Sequence, residues 1–137
     1  MARIRDIMSR SVITIPLGKT ALEAARMLRD RDVSFLVTVD GERPAGILSE
    51  RDIVRKVAAE DRTASRLTVD QIHADSFLSV DPSTAIEVAV QKMINSNVRR
   101  LVVLDDGRLA GVVTQTDLAS FLRSRLLING TITRTES

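Results

Sequence analysis

The chain of 137 residues contains no cysteine, no tryptophan and no tyrosine. Without cysteine there is no disulfide framework, no thiolate nucleophile and no cysteine-based zinc site. Three phenylalanines are the whole aromatic content, 2% of the chain. That is too few for the aromatic platforms on which single-stranded nucleic acids stack. The one histidine, His73, cannot assemble a metal cluster alone. No apolar run approaches the roughly 18 residues of a membrane span, and the opening MARIRDIMSR lacks the apolar core of a signal peptide. A soluble, cytoplasmic protein with no metal and no membrane partner is expected. Blocks of like charge are also missing. The pI near 9.7 invites a nucleic-acid reading, but 20 Lys and Arg interleave with 18 Asp and Glu for a net charge of only +2. A nucleic-acid partner is therefore not expected.

Catalytic signatures are equally scarce. LGKT at 17–20 resembles the end of a phosphate-binding P-loop, but that loop needs a glycine where Ile13 stands. There is no G-x-S-x-G elbow, His73 has Met8 as its repeat partner, and the scattered carboxylates form no acid–base pair. No enzyme activity is expected. What the chain does have is 44% hydrophobic and 28% charged residues. That is enough for one compact domain, or for two small halves, with a soluble surface.

Displaced by 65 positions, the sequence falls on itself without a gap from about Ile7 to Ile53. Ile7 meets Ile72, Ser11 meets Ser76, Ala24 meets Ala89, Val33 meets Val98, and Ala45–Gly46 meets Ala110–Gly111. Internal duplication decides the architecture before any local reading, and two copies are too few for a solenoid. Each copy reads β-α-β-β-α, in the α+β class. A short extended piece (VITI, 12–15; FLSV, 77–80) precedes a helix with apolar positions at helical spacing: Ala21, Ala24, Ala25 and Leu28, or Ile86, Ala89, Val90 and Met93. A β-rich run (33–39; 98–104), a turn with Asp and Gly, and a second strand form a hairpin. A second helix follows, from about 50 to 59 and from about 115 to 128. The copies span 4–58 and 69–123, with a linker at 59–68 and a polar tail at 129–137 that is expected to be poorly ordered.

The hairpins end in GILSERD (46–52) and GVVTQTD (111–117). Taken alone, each motif is close to a helix cap: Ser49 or Thr114 at the N-cap, with Asp52 or Asp117 three residues on. The same geometry suits a ligand. A helix N-terminus attracts phosphate, a hydroxyl adds a hydrogen bond, and a carboxylate accepts two from a vicinal diol. Hydroxyl and acid together fit a nucleoside phosphate better than a bare anion, with the preceding aliphatics flanking a base.

With these motifs in register inside a β-α-β-β-α frame, the chain resembles a pair of CBS domains, a Bateman module, from about Ile4 to Leu122. DIMSRSVITI and NVRRLVVLDDG resemble that family too. The resemblance implies a stand-alone regulatory, energy-sensing module whose two repeats form clefts for adenine nucleotides or related adenosine compounds: AMP or ATP foremost, ADP, NAD or S-adenosylmethionine otherwise. It implies no required cofactor. Carried onto this sequence, one cleft would use Ile47, Ser49, Arg51 and Asp52 with Phe77, Leu78, Ser79, Val98 and Arg99. The other would use Val112, Thr114, Thr116 and Asp117 with Val12, Ile13, Thr14, Val33 and Ser34. Grouped this way, the Asp52 cleft gathers Arg51 and Arg99 and should hold a phosphorylated ligand more tightly.

Ile53, Val54 and Val57, and likewise Leu118, Phe121 and Leu122, read as apolar stripes left over after one pair has formed. A homodimer is therefore expected, together with a downstream protein target that the sequence does not identify. The competing function class is a protein-interaction scaffold that keeps the fold without a physiological nucleotide.

Overall fold

Helix α1 (Ala21–Arg31) begins where Thr20 and Glu23 cap each other. The Thr20 hydroxyl accepts from the Glu23 N–H at 3.1 Å, and the Glu23 carboxylate accepts from the Thr20 N–H at 2.8 Å. It ends at Asp32, and its counterpart α3 (Ile86–Ser96) ends at Asn97; both stop residues take φ 52°, in the left-handed region that Asp and Asn tolerate. Thr20→Ala should cost about 1 kcal/mol through the lost cap, measurable by thermal denaturation. These elements belong to a computed structural model that describes residues 1–128, so the tail at 129–137 lies outside the described residues.

Two three-stranded sheets repeat one design. β1 (Thr14–Pro16) runs parallel to β2 (Phe35–Asp40), and β2 pairs antiparallel with β3 (Arg43–Ser49). β4 (Ser79–Val80) runs parallel to β5 (Arg100–Asp105), which neighbours β6 (Arg108–Thr114). The first strands are shorter than the apolar runs predicted, although Ile13 and Leu78 still accept from Val37 and Val102 at 3.0 Å. Four consecutive buried residues, Leu36–Val39, mark β2 as a central strand covered on both faces. A bulge between Thr38 and Val39 takes up Ala45 and places Pro44, which has no N–H, beyond the irregularity. Asp106 and Gly107 both have positive φ, as the tight two-residue hairpin turn between β5 and β6 requires.

The chain divides into two compact units. The first comprises Ser11–Phe77 with Gly107–Leu109; the second comprises Met1–Arg10, Leu78–Asp106 and the described chain from Ala110. The head of each sequence copy therefore lies in the unit of the other. In the second unit Ile4 is fully buried among Val80, Ile86, Leu101 and Val113, and its N–H donates to the Thr84 carbonyl at 2.9 Å. In the first unit Val69 and Ile72 are buried among Ile15, Leu28, Leu36 and Leu48, and the Val69 N–H donates to the Lys19 carbonyl at 2.8 Å. The linker residues carry a 3-10 turn, Ala64–Arg66, and bury Leu67 in that first core.

Helix α2 (Glu50–Ile53) passes directly into a π-helical stretch, Val54–Ala58, where the Ala59 N–H reaches back to the Val54 carbonyl at 2.8 Å. Its counterpart α4 (Gln115–Ile128) has no such stretch. The two stripes expected to be left over are not uniformly exposed. Val57 and Leu118 are buried core residues, and Ile53 and Phe121 pack against the same cores. Only Val54, 60% exposed, and Leu122, 47% exposed, remain open.

Candidate functional site

Glycine opens each motif because another stretch of backbone crosses it. Ile47 and Ala74 form an isolated antiparallel bridge, N–H to carbonyl in both directions at 3.0 and 2.9 Å. A methyl group on Gly46 would run into the Ala74 carbonyl and sit 2.6 Å from His73 Nδ1. The second unit repeats this with Ser9 and Val112, where a methyl on Gly111 would lie 2.5 Å from the Ser9 carbonyl. His73 is held there by a hydrogen bond between its Nδ1 and the hydroxyl of Thr38 at 2.7 Å. Thr38 is the one buried polar residue among those described. The repeat partners of these two residues are Met8 and Val103.

Ser49 and Asp52 form a closed capping box. The Asp52 Oδ2 accepts from the Ser49 N–H at 2.9 Å and from its hydroxyl at 3.2 Å, while the Asp52 N–H points back to Ser49 Oγ at 3.4 Å. Thr114 and Asp117 repeat it, with the Thr114 N–H on Asp117 Oδ2 at 2.9 Å and the Asp117 N–H on Thr114 Oγ1 at 3.1 Å. A second backbone tie fixes each box. The Glu50 N–H donates to the Ser34 carbonyl and the Gln115 N–H to the Arg99 carbonyl, both at 2.9 Å. The helix starts are thus less open than the motifs alone suggest. In each first turn the cap and the strand carbonyl take two donors and leave the Arg51 or Thr116 N–H.

The same ties fix two further candidate residues in place. Ser34 is fastened beside Ser49 and Asp52, and Arg99 beside Thr114 and Asp117, because each precedes a central strand whose end meets the helix of its own hairpin. The family resemblance groups Ser34 with the Asp117 motif and Arg99 with the Asp52 motif, in clefts shared by the two repeats. Arg51 lies in the first unit and Arg99 in the second. Val12, Ile13, Thr14, Val33, Ile47 and Phe77 lie in the first unit, and Leu78, Ser79, Val98, Val112 and Thr116 in the second.

The two carboxylates also differ. Asp52 is 15% exposed and pairs through Oδ1 with Lys56 Nζ at 3.2 Å, a contact the sequence reading missed. An acid with a lysine four residues on was the signal that could have found it. Asp117 has no ion pair among the described residues, and Phe121 stands where Lys56 would be.

The family model of the CBS domain matches residues 4–59 and 69–124. Hypoxic response protein 1 of Mycobacterium tuberculosis is 32% identical over 129 residues, 93% of this chain and 90% of that protein. The A-adding tRNA nucleotidyltransferase of Geobacter sulfurreducens is 42% identical over 118 residues, but this chain spans only 13% of its length. Among solved structures, the CBS domain protein PAE2072 of Pyrobaculum aerophilum, complexed with AMP, superposes with a TM-score of 0.80 at 30% identity, covering 96% of this chain and all of that one (100%).

Proposed function

The chain belongs to the CBS-domain family, and from that premise we propose that it is a non-catalytic regulatory module that binds an adenosine compound, AMP or ATP foremost, and signals by a change of conformation or assembly. The observation that carries this reading is the paired construction of the two motifs. Each presents a hydroxyl and a carboxylate, fixed by a capping box, at the start of a helix. One carboxylate oxygen of Asp117 has no partner among the described residues, so it can accept from a ribose hydroxyl. The similarity to a protein solved with AMP supports the same ligand class. Ile47 and Val112 are the aliphatic neighbours suited to a base, and Arg51 and Arg99 are guanidinium groups suited to phosphate. No helix among the described residues is long and apolar enough to cross a membrane, and a cytoplasmic sensor fits that.

A homodimer is part of the proposal. Exposed Val54 borders an open groove of about 420 Å³ with Ala25, Leu28 and Ile53, in the first unit. Sedimentation at micromolar concentration should give a dimer; a monomer would defeat this element.

The competing reading, a scaffold without a nucleotide, rests on the capping boxes, because a helix cap alone accounts for both hydroxyl–carboxylate pairs. Thermal melting against AMP, ADP, ATP, NAD, S-adenosylmethionine and GMP separates the two readings. A ligand at about 100 times its dissociation constant stabilises by roughly 2.7 kcal/mol, a shift of several degrees. The shift should appear with an adenosine compound and shrink in Asp52→Asn and Asp117→Asn, which keep an acceptor for the cap but replace the second oxygen with a donor. No shift with any of the six would leave the scaffold.

A further inference from the structure

Lys56 does two things at once. Its Nζ donates to the carbonyl of Ile72 at 2.9 Å and lies 3.2 Å from Asp52 Oδ1. The carbonyl belongs to a buried core residue, so the ammonium is anchored on fixed backbone, while its side chain keeps 44% of its exposure. An ion pair this exposed adds little to stability. The pair also lies where the helix changes character, because Lys56 sits inside the π-helical stretch that α4 lacks.

From this geometry we infer that Lys56 selects for phosphate at the Asp52 motif, an inference that rests on the adenosine-binding reading above and narrows it to a nucleotide in preference to a nucleoside. An ammonium has three donors; Ile72 and Asp52 take two, and the third is open to an incoming acceptor. The cation also neutralises Asp52, so a dianionic phosphate meets no net repulsion from the carboxylate that holds the sugar. A bare nucleoside is served worse. Its ribose must compete with Lys56 for Oδ1, since Oδ2 is already committed to Ser49, and it returns nothing to the ammonium it displaces. At Asp117 the corresponding position is Phe121, packed against the core of the second unit, so this selection belongs to one motif alone.

Calorimetric titration of the full chain with AMP and with adenosine tests this, in an Asp117→Asn background so that one motif reports. The Asp117→Asn protein should prefer AMP. Adding Lys56→Met should lower that preference about tenfold, the order expected for one hydrogen bond to a charged group, and adding Lys56→Arg should keep it. Should the methionine variant fail to fold, Lys56→Gln serves against the arginine variant. The same AMP-to-adenosine ratio with and without the lysine would overturn the inference while leaving the adenosine-binding reading intact. Absence of binding by either compound in the unsubstituted chain would instead sink that reading itself.

Discussion

Gly46→Ala is expected to destabilise the protein by about 3 kcal/mol, within the range for forcing a group into a packed site, and to lower its melting temperature by about 10 °C. The cause is approach rather than backbone conformation. The added methyl would overlap the Ala74 carbonyl, which is backbone and cannot rotate away, and would crowd His73 Nδ1 at 2.6 Å. Relief requires lifting residues 73–74 off β3. That breaks the two hydrogen bonds of the Ile47–Ala74 bridge, each worth about 1 kcal/mol net. Gly111→Ala should behave alike, because its obstacle is also a carbonyl, that of Ser9. Circular-dichroism melts of both variants give the answer, and a loss under about 1 kcal/mol in either, well below the overpacking range, would show that the crossing segment is not firmly seated.

The second expectation concerns Thr38 and His73. Replacing His73 by Met should cost about 2 kcal/mol, since it strands a fully buried hydroxyl without its partner. Thr38→Val alone should cost less, because half-buried His73 can turn to water. The double variant should recover most of the loss. Val103 and Met8 hold the corresponding positions of the second unit, where both pack in an apolar core. Urea denaturation of the four proteins, with midpoints compared at constant m, yields the coupling energy directly. Simple additivity of the two substitutions would mean that the hydrogen bond contributes nothing.

Much of the architecture was legible because its cause is local or periodic. The displacement by 65 residues announced two copies, and the stripe Ala21, Ala24, Leu28 and its partner Ile86, Ala89, Met93 are buried as the spacing required. Ser49 with Asp52, and Thr114 with Asp117, were recognisable as caps for the same reason. What escaped depends on contacts far apart in the chain. No short-range pattern says that the Ser34 and Arg99 carbonyls will be tied to the Glu50 and Gln115 N–H groups. Nothing near Gly46 in the chain explains it, because its reason is a carbonyl 28 positions further along. The π-helical stretch has no signature in VRKVA, a sequence that would serve equally in an ordinary helix.

The exchanged heads carry a consequence for how such a molecule can be divided or can have arisen. Cut at the repeat boundary, a half-length chain would keep a head that fits the other copy's strand and would expose the edge of its own. Two identical halves could cure this only by trading heads, as swapped partners do. Joining them end to end turns an agreement between two molecules into a property of one gene. Each half can then differ from the other, as Lys56 differs from Phe121 and His73 from Met8, without either being able to leave.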